Sequence, residues 1–472
     1  MKNLFPFILF FFNTTLFAQQ TWTLQQCLEY AEQHNSQLQK VKNLHLTSEQ
    51  NVLQAKGAFL PTINATATQN YNMGRSIDPF TNIYVNQQVR SNNFSLNGSL
   101  VLFNGFLLQN SLKQSKDDLR AAENDIDQYR FELSLNIVQA YLSILMNEEK
   151  VRNTELQAQT TKAVYERTNK LKESGILTNS ATLDVYAQWK TEEAAAIQAK
   201  NDLDLSYLNL GLLLELADPL SIRIVHPPEI DDKQTLSYST PEQVMTNAVD
   251  HIPSLKSLAY KQQSAAHAYY ASKGRYYPKL TLNGSLSTLY STSGKTVQTL
   301  DTPSGTRTIG YTETTGEMVV TPIYTSIISD KAFGSQLKDN YYKFVGFTLT
   351  IPVLNGLQVR TSVHRAQIAL SQADLDFNLA KLSLQRTIYT AFYQARGSEA
   401  KLSALNQSFT ATQESYRSAE KRFDNGIINS VEFSQVKTKY TQSQSDLLQA
   451  KYDFIFKNAI LDIYSGQPLD IQ

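Results

Sequence analysis

The stretch from Phe106 to Ser174 contains neither glycine nor proline, and its apolar side chains return every seven residues through Leu112, Leu119, Ile126, Leu133 and Ala140. A seven-residue apolar repeat keeps one helical stripe in a seam against a partner helix at a small crossing angle. At 1.5 Å per residue, a continuous helix over this stretch is about 100 Å long. A 100-residue domain has a radius of gyration of only about 13 Å, so no compact globule has room for such a rod.

The rod is built twice. Leu102-Phe103-Asn104-Gly105 reappears as Val353-Leu354-Asn355-Gly356, and the offset of 251 carries the heptad onto Val363, Leu370, Phe377, Leu384 and Ala391, Tyr165 onto Tyr416, and Gly175 onto Gly426. Upstream, Lys56-Gly57 and Pro61 match Lys273-Gly274 and Pro278 at an offset of 217. The stretch from Leu357 to Asn425 is broken only by Gly397. Each copy thus reads as helix, strand, strand, long helix and return helix. The first repeat is placed at 19–239, with strands at about 59–73 and 91–103, a long helix at about 106–174, a return helix at about 177–215 and a linker at about 217–239. The second is placed at 240–472, with strands at about 279–290 and 341–354, a loop at about 291–340, a long helix at about 357–424 and a return helix at about 430–464.

The strands carry the information about compartment. Thr62, Asn64, Thr66, Thr68 and Asn70 alternate with Ile63, Ala65 and Ala67; Phe94, Leu96, Gly98, Leu100 and Leu102 alternate with Asn93, Ser95, Asn97 and Ser99. In the second copy Leu280, Leu282, Gly284 and Leu286 alternate with Thr281, Asn283 and Ser285, and Val345, Phe347, Leu349 and Ile351 with Gly346, Thr348 and Thr350. Stretches of about ten residues with period two suit transmembrane strands that have one lipid face and one wet face. Residues 1–18 read as a secretory signal, with Lys2 ahead of an apolar run and Ala18 at its end. Gln26 stands where a lipoprotein box before Cys27 would need a small residue. Past the signal no apolar run reaches the roughly 18 residues of a membrane helix, so membrane residence would have to use strands. Four strands cannot close a barrel, and open edges are not tolerated in lipid. Three copies pooling four strands each would give about twelve, an acceptable even number.

Composition removes other classes. The 43 basic and 43 acidic residues cancel, which gives no electrostatic footprint for nucleic acid. Cys27 has no partner for an intramolecular disulfide, and the 6 histidines show no metal-ligand spacing. Neither a nucleophile–base constellation nor a GxxxxGK[ST] phosphate loop is present, so no enzymatic activity and no cofactor are expected. The competing class is an exported structural or interaction protein, a helical bundle with a soluble sheet and no pore.

Thr23-Leu24-Gln25-Gln26-Cys27-Leu28-Glu29-Tyr30-Ala31 followed by His34-Asn35, the phrase Ile351-Pro352-Val353-Leu354-Asn355-Gly356, the duplicated corners and the turns at Gly175 and Gly426 together resemble the TolC-type outer-membrane efflux proteins. The resemblance covers essentially the whole mature chain. It implies a mainly α chain with membrane β: a homotrimer forming one 12-stranded barrel in outer-membrane lipid, continued by an α-helical barrel in the periplasm. It also implies a passive exit duct, opened by a periplasmic membrane-fusion adaptor and energised by an inner-membrane pump of the RND, ABC or MFS type, in efflux or type I secretion.

On this reading Pro61 and Pro278 are corners where a helix enters the barrel, and Asn104-Gly105 and Asn355-Gly356 are corners where the chain leaves it, Asn-Gly tolerating positive φ. Gly175 and Gly426 mark the periplasmic tip. In the best-known member of the family, an aromatic three residues before the second of these glycines, an arginine two after, and acids six and nine after form a closing network. Here the positions hold Phe423, Ile428, Glu432 and Gln435, so of the charged members only Glu432 is kept. Glu432, with Asp184, is the expected acidic constriction, and Lys172, Phe423 and Asp424 stand beside the turns. Within the expected extracellular loop, Thr306 to Ile328 is β-prone and suggests an extra hairpin or lid.

Overall fold

A computed structural model of the chain describes residues 21–77, 82–86, 88–175, 177–226, 236 and 238–466. The expected export signal at 1–18 and part of the expected linker at 217–239 lie outside the described residues. In chain order the elements are β1 (Thr21–Trp22), α1 (Leu24–His34), α2 (Ser36–Gly57), β2 (Thr62–Asn72), β3 (Arg75–Ile77), β4 (Tyr84–Asn86), β5 (Val89–Phe103), α3 (Leu107–Glu173), α4 (Asn179–Leu213), β6 (Arg223–Ile224), α5 (Pro241–His251), α6 (Pro253–Gly274), β7 (Lys279–Ser291), β8 (Lys295–Tyr311), β9 (Met318–Asp330), α7 (Phe333–Asp339), β10 (Tyr342–Thr350), α8 (Gln358–Asp424) and α9 (Ser430–Tyr464). The duplication extends to element lengths: α3 and α8 each have 67 residues, α4 and α9 each have 35, α2 and α6 each have 22, and α1 and α5 each have 11.

The chain divides into two compact units. The first comprises Met1–Glu49, Asp117–Gln263 and Ser371–Gln472, and its described residues are almost entirely helical. Its interior forms where a short helix wedges against a long one. Cys27 and Ala31 of α1 pack with Ile137, Tyr141 and Ile144 of α3 and Leu210 of α4. Val244 and Ala248 of α5 pack in the same way with Ile388 and Phe392 of α8 and Leu461 of α9. α1 starts on a capping box, with the Thr23 and Gln26 side chains and backbones bonded reciprocally at 2.9 and 3.2 Å, which satisfies two orphan N–H donors. Of the heptad positions, Leu133 and Ala140 are buried, whereas Leu112, Leu119 and Ile126 are only half-buried.

Burial pushes the Cys27 thiol up to about 12. Since the thiolate is the nucleophile, the folded chain should take up no iodoacetamide at pH 8, and unfolding should release one reactive thiol. Mass spectrometry of alkylated protein checks this.

The second unit, Gln50–Lys116 and Ser264–Leu370, contains an antiparallel four-stranded sheet in the order β10-β7-β5-β2. Its registers align like with like. Ala65, Leu96, Leu286 and Lys343 lie in one row across the sheet, and Ile63, Gly98, Gly284 and Val345 in the next, with Leu100, Leu282 and Phe347 beyond. The opposite face is a hydrogen-bonded mat of short polar side chains: Ser285 Oγ donates to Asn97 Oδ1 at 2.8 Å, Ser99 Oγ to Asn283 Oδ1 at 3.0 Å, and Asn283 Nδ2 to Thr348 Oγ1 at 3.0 Å. Because the side-chain period is two, these registers give the inner rows of the sheet one apolar and one largely polar face.

Three features depart from the sequence-based expectations. A bulge between Val101 and Phe103 sets Phe103, not Leu102, opposite Leu280, so Phe103 takes the place expected for Leu102 on the apolar face. The stretch placed at 291–340 as a loop is largely ordered, with β8 and β9 forming a hairpin longer than the Thr306–Ile328 segment that propensity suggested. It is pinned by Gln336 of α7, which is 1% exposed. The Gln336 carboxamide accepts from Ser291 N at 3.0 Å and donates to the Ser291 and Lys331 carbonyls at 3.0 and 2.9 Å. The third departure concerns the corners and is described next.

Candidate functional site

The corner from strand into long helix is made by two consecutive residues in the left-handed region. They are Gly105 (φ 68°) with Phe106 (φ 62°), and Gly356 (φ 60°) with Leu357 (φ 65°). The positive φ expected of Asn-Gly therefore falls on the glycine and the residue after it. Asn104 acts as a cap instead, its carbonyl accepting from Leu107 N at 3.3 Å and its Oδ1 from Leu108 N at 3.4 Å. Pro61 and Pro278 follow the turns that end α2 and α6 and directly precede β2 and β7, where the fixed proline φ suits extended chain.

Gly105 has a second reason to be glycine. A Cβ there would lie 2.2 Å from the Gly274 carbonyl oxygen, and a Cβ on Gly274 would lie 2.6 Å from the Gly105 oxygen. The exit corner of the first repeat thus touches the entry corner of the second, backbone to backbone. At the counterparts Gly57 and Gly356 a Cβ would meet nothing within 4 Å among the described residues.

At the other end of the long helices the turns are ordinary left-handed caps. Gly175 (φ 75°) donates to Lys172 O at 2.9 Å; Gly426 (φ 72°) donates to Phe423 O at 3.0 Å, and Ile427 N to Arg422 O at 2.8 Å, closing the last carbonyls of α8. No atom lies within 4 Å of a Cβ at either glycine, so alanine there should cost only the left-handed penalty, about 1–2 kcal/mol. Thermal unfolding of Gly426→Ala should show that modest loss.

The structure sorts the gate candidates. Asp424 pairs with Arg167 of α3 at 2.7 Å, which ties the two hairpins together. Phe423 stacks on Phe433 with ring centroids 4.6 Å apart. Glu432 sits in the first turn of α9, its N–H donating to Asn429 Oδ1 at 2.9 Å while Asn429 Nδ2 donates to Glu432 Oε1 at 3.4 Å. Lys172 is half-buried at the end of α3, and Asp184 is exposed on α4. Among the described residues no hydrogen bond or ion pair joins Asp184 to Glu432 within one chain.

Sequence reasoning missed two groups near the tip. The first is a ladder of rings running Phe423, Phe433, Tyr416, Tyr440, Phe409, with neighbouring centroids 4.6, 5.9, 4.8 and 5.8 Å apart. The heptad spacing of Phe409, Tyr416 and Phe423 on α8, and of Phe433 and Tyr440 on α9, was the available signal. The second is a buried ionic cluster joining three helices. Lys437 of α9 and Glu192 of α4, 4% and 7% exposed, approach to 3.4 Å, and both bond Thr161 of α3. Gln188 Nε2 donates to the other Glu192 oxygen at 2.8 Å. Burial pushes the Lys437 ammonium below its ordinary pKa, with Glu192 pulling the other way.

A duplicated strand-pair and helical-hairpin chain with these corners and tips has the fold of an outer membrane efflux protein. The model of the outer membrane efflux proteins matches residues 27–214 and 244–466, and the chain belongs to that family. It is similar to the alkaline protease secretion protein AprF of Pseudomonas aeruginosa, at 20% identity over 341 residues; the match takes in 71% of this chain and 61% of AprF. Its fold is similar to that of the Campylobacter jejuni CmeC outer membrane channel, with TM-score 0.76 and 14% identity over 95% of this chain and 87% of that one. It is also similar to that of the outer membrane protein VceC of Vibrio cholerae, with TM-score 0.75 and 13% identity over 94% and 96%.

Proposed function

We propose that three copies of this chain form one passive duct: a 12-stranded barrel in the outer membrane continued by an α-helical barrel in the periplasm, docked at its tip by an adaptor and energised by an inner-membrane pump. The observation that carries this reading is the four-stranded sheet, with one face apolar over its inner rows and its polar side chains, Lys343, Thr288, Asn92, Gln69 and Arg90, gathered toward one end, and with β2 and β10 each leaving one edge unpaired among the described residues. Phe347 and Val345 on that face are 70% and 76% exposed in a single copy. Unpaired backbone and apolar side chains suit lipid only if other strands complete the ring. A helical bundle without a pore would have no use for such a surface. The relatives fit this reading, since AprF is a protein of alkaline protease secretion and CmeC an outer membrane channel. Detergent-extracted protein should have the mass of three chains by light scattering, and planar bilayers should show discrete conductance steps. A stable monomer that leaves bilayers silent would overturn the reading.

The tip gates this duct. Glu432 and Asp184, each repeated three times, supply the acidic narrowing, and alanine at both should change single-channel conductance and reduce cation preference. Unaltered values would remove these two residues from the gate. Crosslinkers placed at Lys172 and Asn425 should capture the adaptor.

A further inference from the structure

The two repeats of one chain meet at joints whose counterparts stand open, and the open halves are complementary. Within the sheet the repeat relation is exact to the residue: Ile63 pairs with Gly98, and their counterparts at offsets of 217 and 251, Leu280 and Leu349, pair in turn. The joint between repeats is β5 against β7, with Gly98 opposite Gly284, Asn97 opposite Ser285 and Ser99 opposite Asn283. Carrying β5 onto β10 and β7 onto β2 by the same offsets sets Leu349 opposite Ala67, Ile351 opposite Ala65, Thr348 opposite Thr68 and Thr350 opposite Thr66. Apolar meets apolar on one face and hydroxyl meets hydroxyl on the other. A slip of one residue would reverse every side chain.

The same operation pairs the open glycines. Gly105 touches Gly274 inside the chain, and their counterparts are Gly356 and Gly57, where an added Cβ would meet nothing within 4 Å among the described residues. The helical unit repeats the pattern independently. Ser434 and Lys437 of α9 line a small cavity with Thr161, Val164 and Val185. Their counterparts on α4 are Leu183 and Tyr186, left 56% and 40% exposed. The matching receptor on α8 and α9 is Thr412, whose hydroxyl meets that of Ser443 at 2.6 Å, as that of Thr161 meets Glu192.

Resting on the trimeric reading, we infer the contact between copies residue by residue: β10 of one copy pairs antiparallel with β2 of the next with Leu349 opposite Ala67, Gly356 seats on Gly57, and Leu183 and Tyr186 cover the Thr412–Ser443 pair. The internal joint holds a buried Lys437–Glu192 ion pair, whereas the external one puts a tyrosine against two hydroxyls. The six joints of the ring therefore alternate in chemistry.

Oxidation of the full-length double variant Leu349→Cys with Ala67→Cys tests the register, since directly opposed residues in an antiparallel pair lie within disulfide reach. Most of the chain should run as covalent dimers and trimers on a non-reducing gel. Leu349→Cys with Thr68→Cys, on opposite faces, should stay monomeric on the gel. A Cβ at Gly57 meets nothing within 4 Å in a single chain among the described residues, so Gly57→Val should keep its helical circular dichroism while losing the trimer peak in light scattering. A trimer that crosslinks through Thr68, or not at all, overturns the register and leaves the channel reading standing. A trimer unaffected by Gly57→Val overturns the corner contact, and a wild-type monomer overturns both readings.

Discussion

Replacing Lys437 with methionine should lower stability by about 3–5 kcal/mol, because Glu192 would keep its charge in a buried site with its cationic partner gone. Adding Glu192→Met to the same chain should restore most of that loss, since burying two apolar side chains avoids the desolvation of two ions. Thermal midpoints in detergent for the wild type, both single variants and the double variant close the cycle. The pH dependence has a definite sign. The folded pKa of Lys437 lies below its unfolded value of 10.5, so on approaching pH 10.5 the unfolded chain holds more protons and stability gained from this group rises with pH. The wild type should thus pull further ahead of Lys437→Met as pH climbs toward 10.5, and a gap that narrows would contradict burial as the dominant influence on this lysine.

Gly105→Ala should be severely damaging for a single added methyl. The added carbon would stand 2.2 Å from a backbone oxygen that no rotamer can move, at a φ of 68° that already disfavours any side chain. A loss of about 4–5 kcal/mol, at the exceptional end for point variants, follows from combining the two. Gly356→Ala faces the same backbone penalty but meets no atom in its own chain. It should fold as a single chain and fail at assembly. Circular dichroism and light scattering of the two variants separate these outcomes.

The helices were legible because their signals are local and cumulative. Freedom from glycine and proline and a heptad sustained from Leu112 to Ala140 leave few alternatives, and Gly175 and Gly426 end the rods for steric reasons that one residue decides. The sheet was legible from period-two alternation until Leu102, where a bulge shifts the parity without changing composition. The β8–β9 hairpin hid behind serine, threonine and glycine, whose preferences suit turns as well as strands, and its anchor at Gln336 is set by long-range backbone contacts. At the tip, sequence pointed to Glu432 through its distance from a glycine, but the buried pair of Lys437 and Glu192 lies 245 positions apart on two helices, and only packing brings it together. The aromatic ladder could have been read from its heptad spacing, which composition-level reasoning passes over as core.

The bare margins of β2 and β10 also bear on how such a protein comes to exist. A newly exported subunit cannot present its greasy sheet to water for long, nor enter the bilayer alone with two rows of unsatisfied amides. On the proposed trimeric reading, meeting its siblings and crossing into lipid must therefore be one concerted event, steep in subunit concentration. Until then the strands need an escort, or must stay unformed while the rods fold ahead of them.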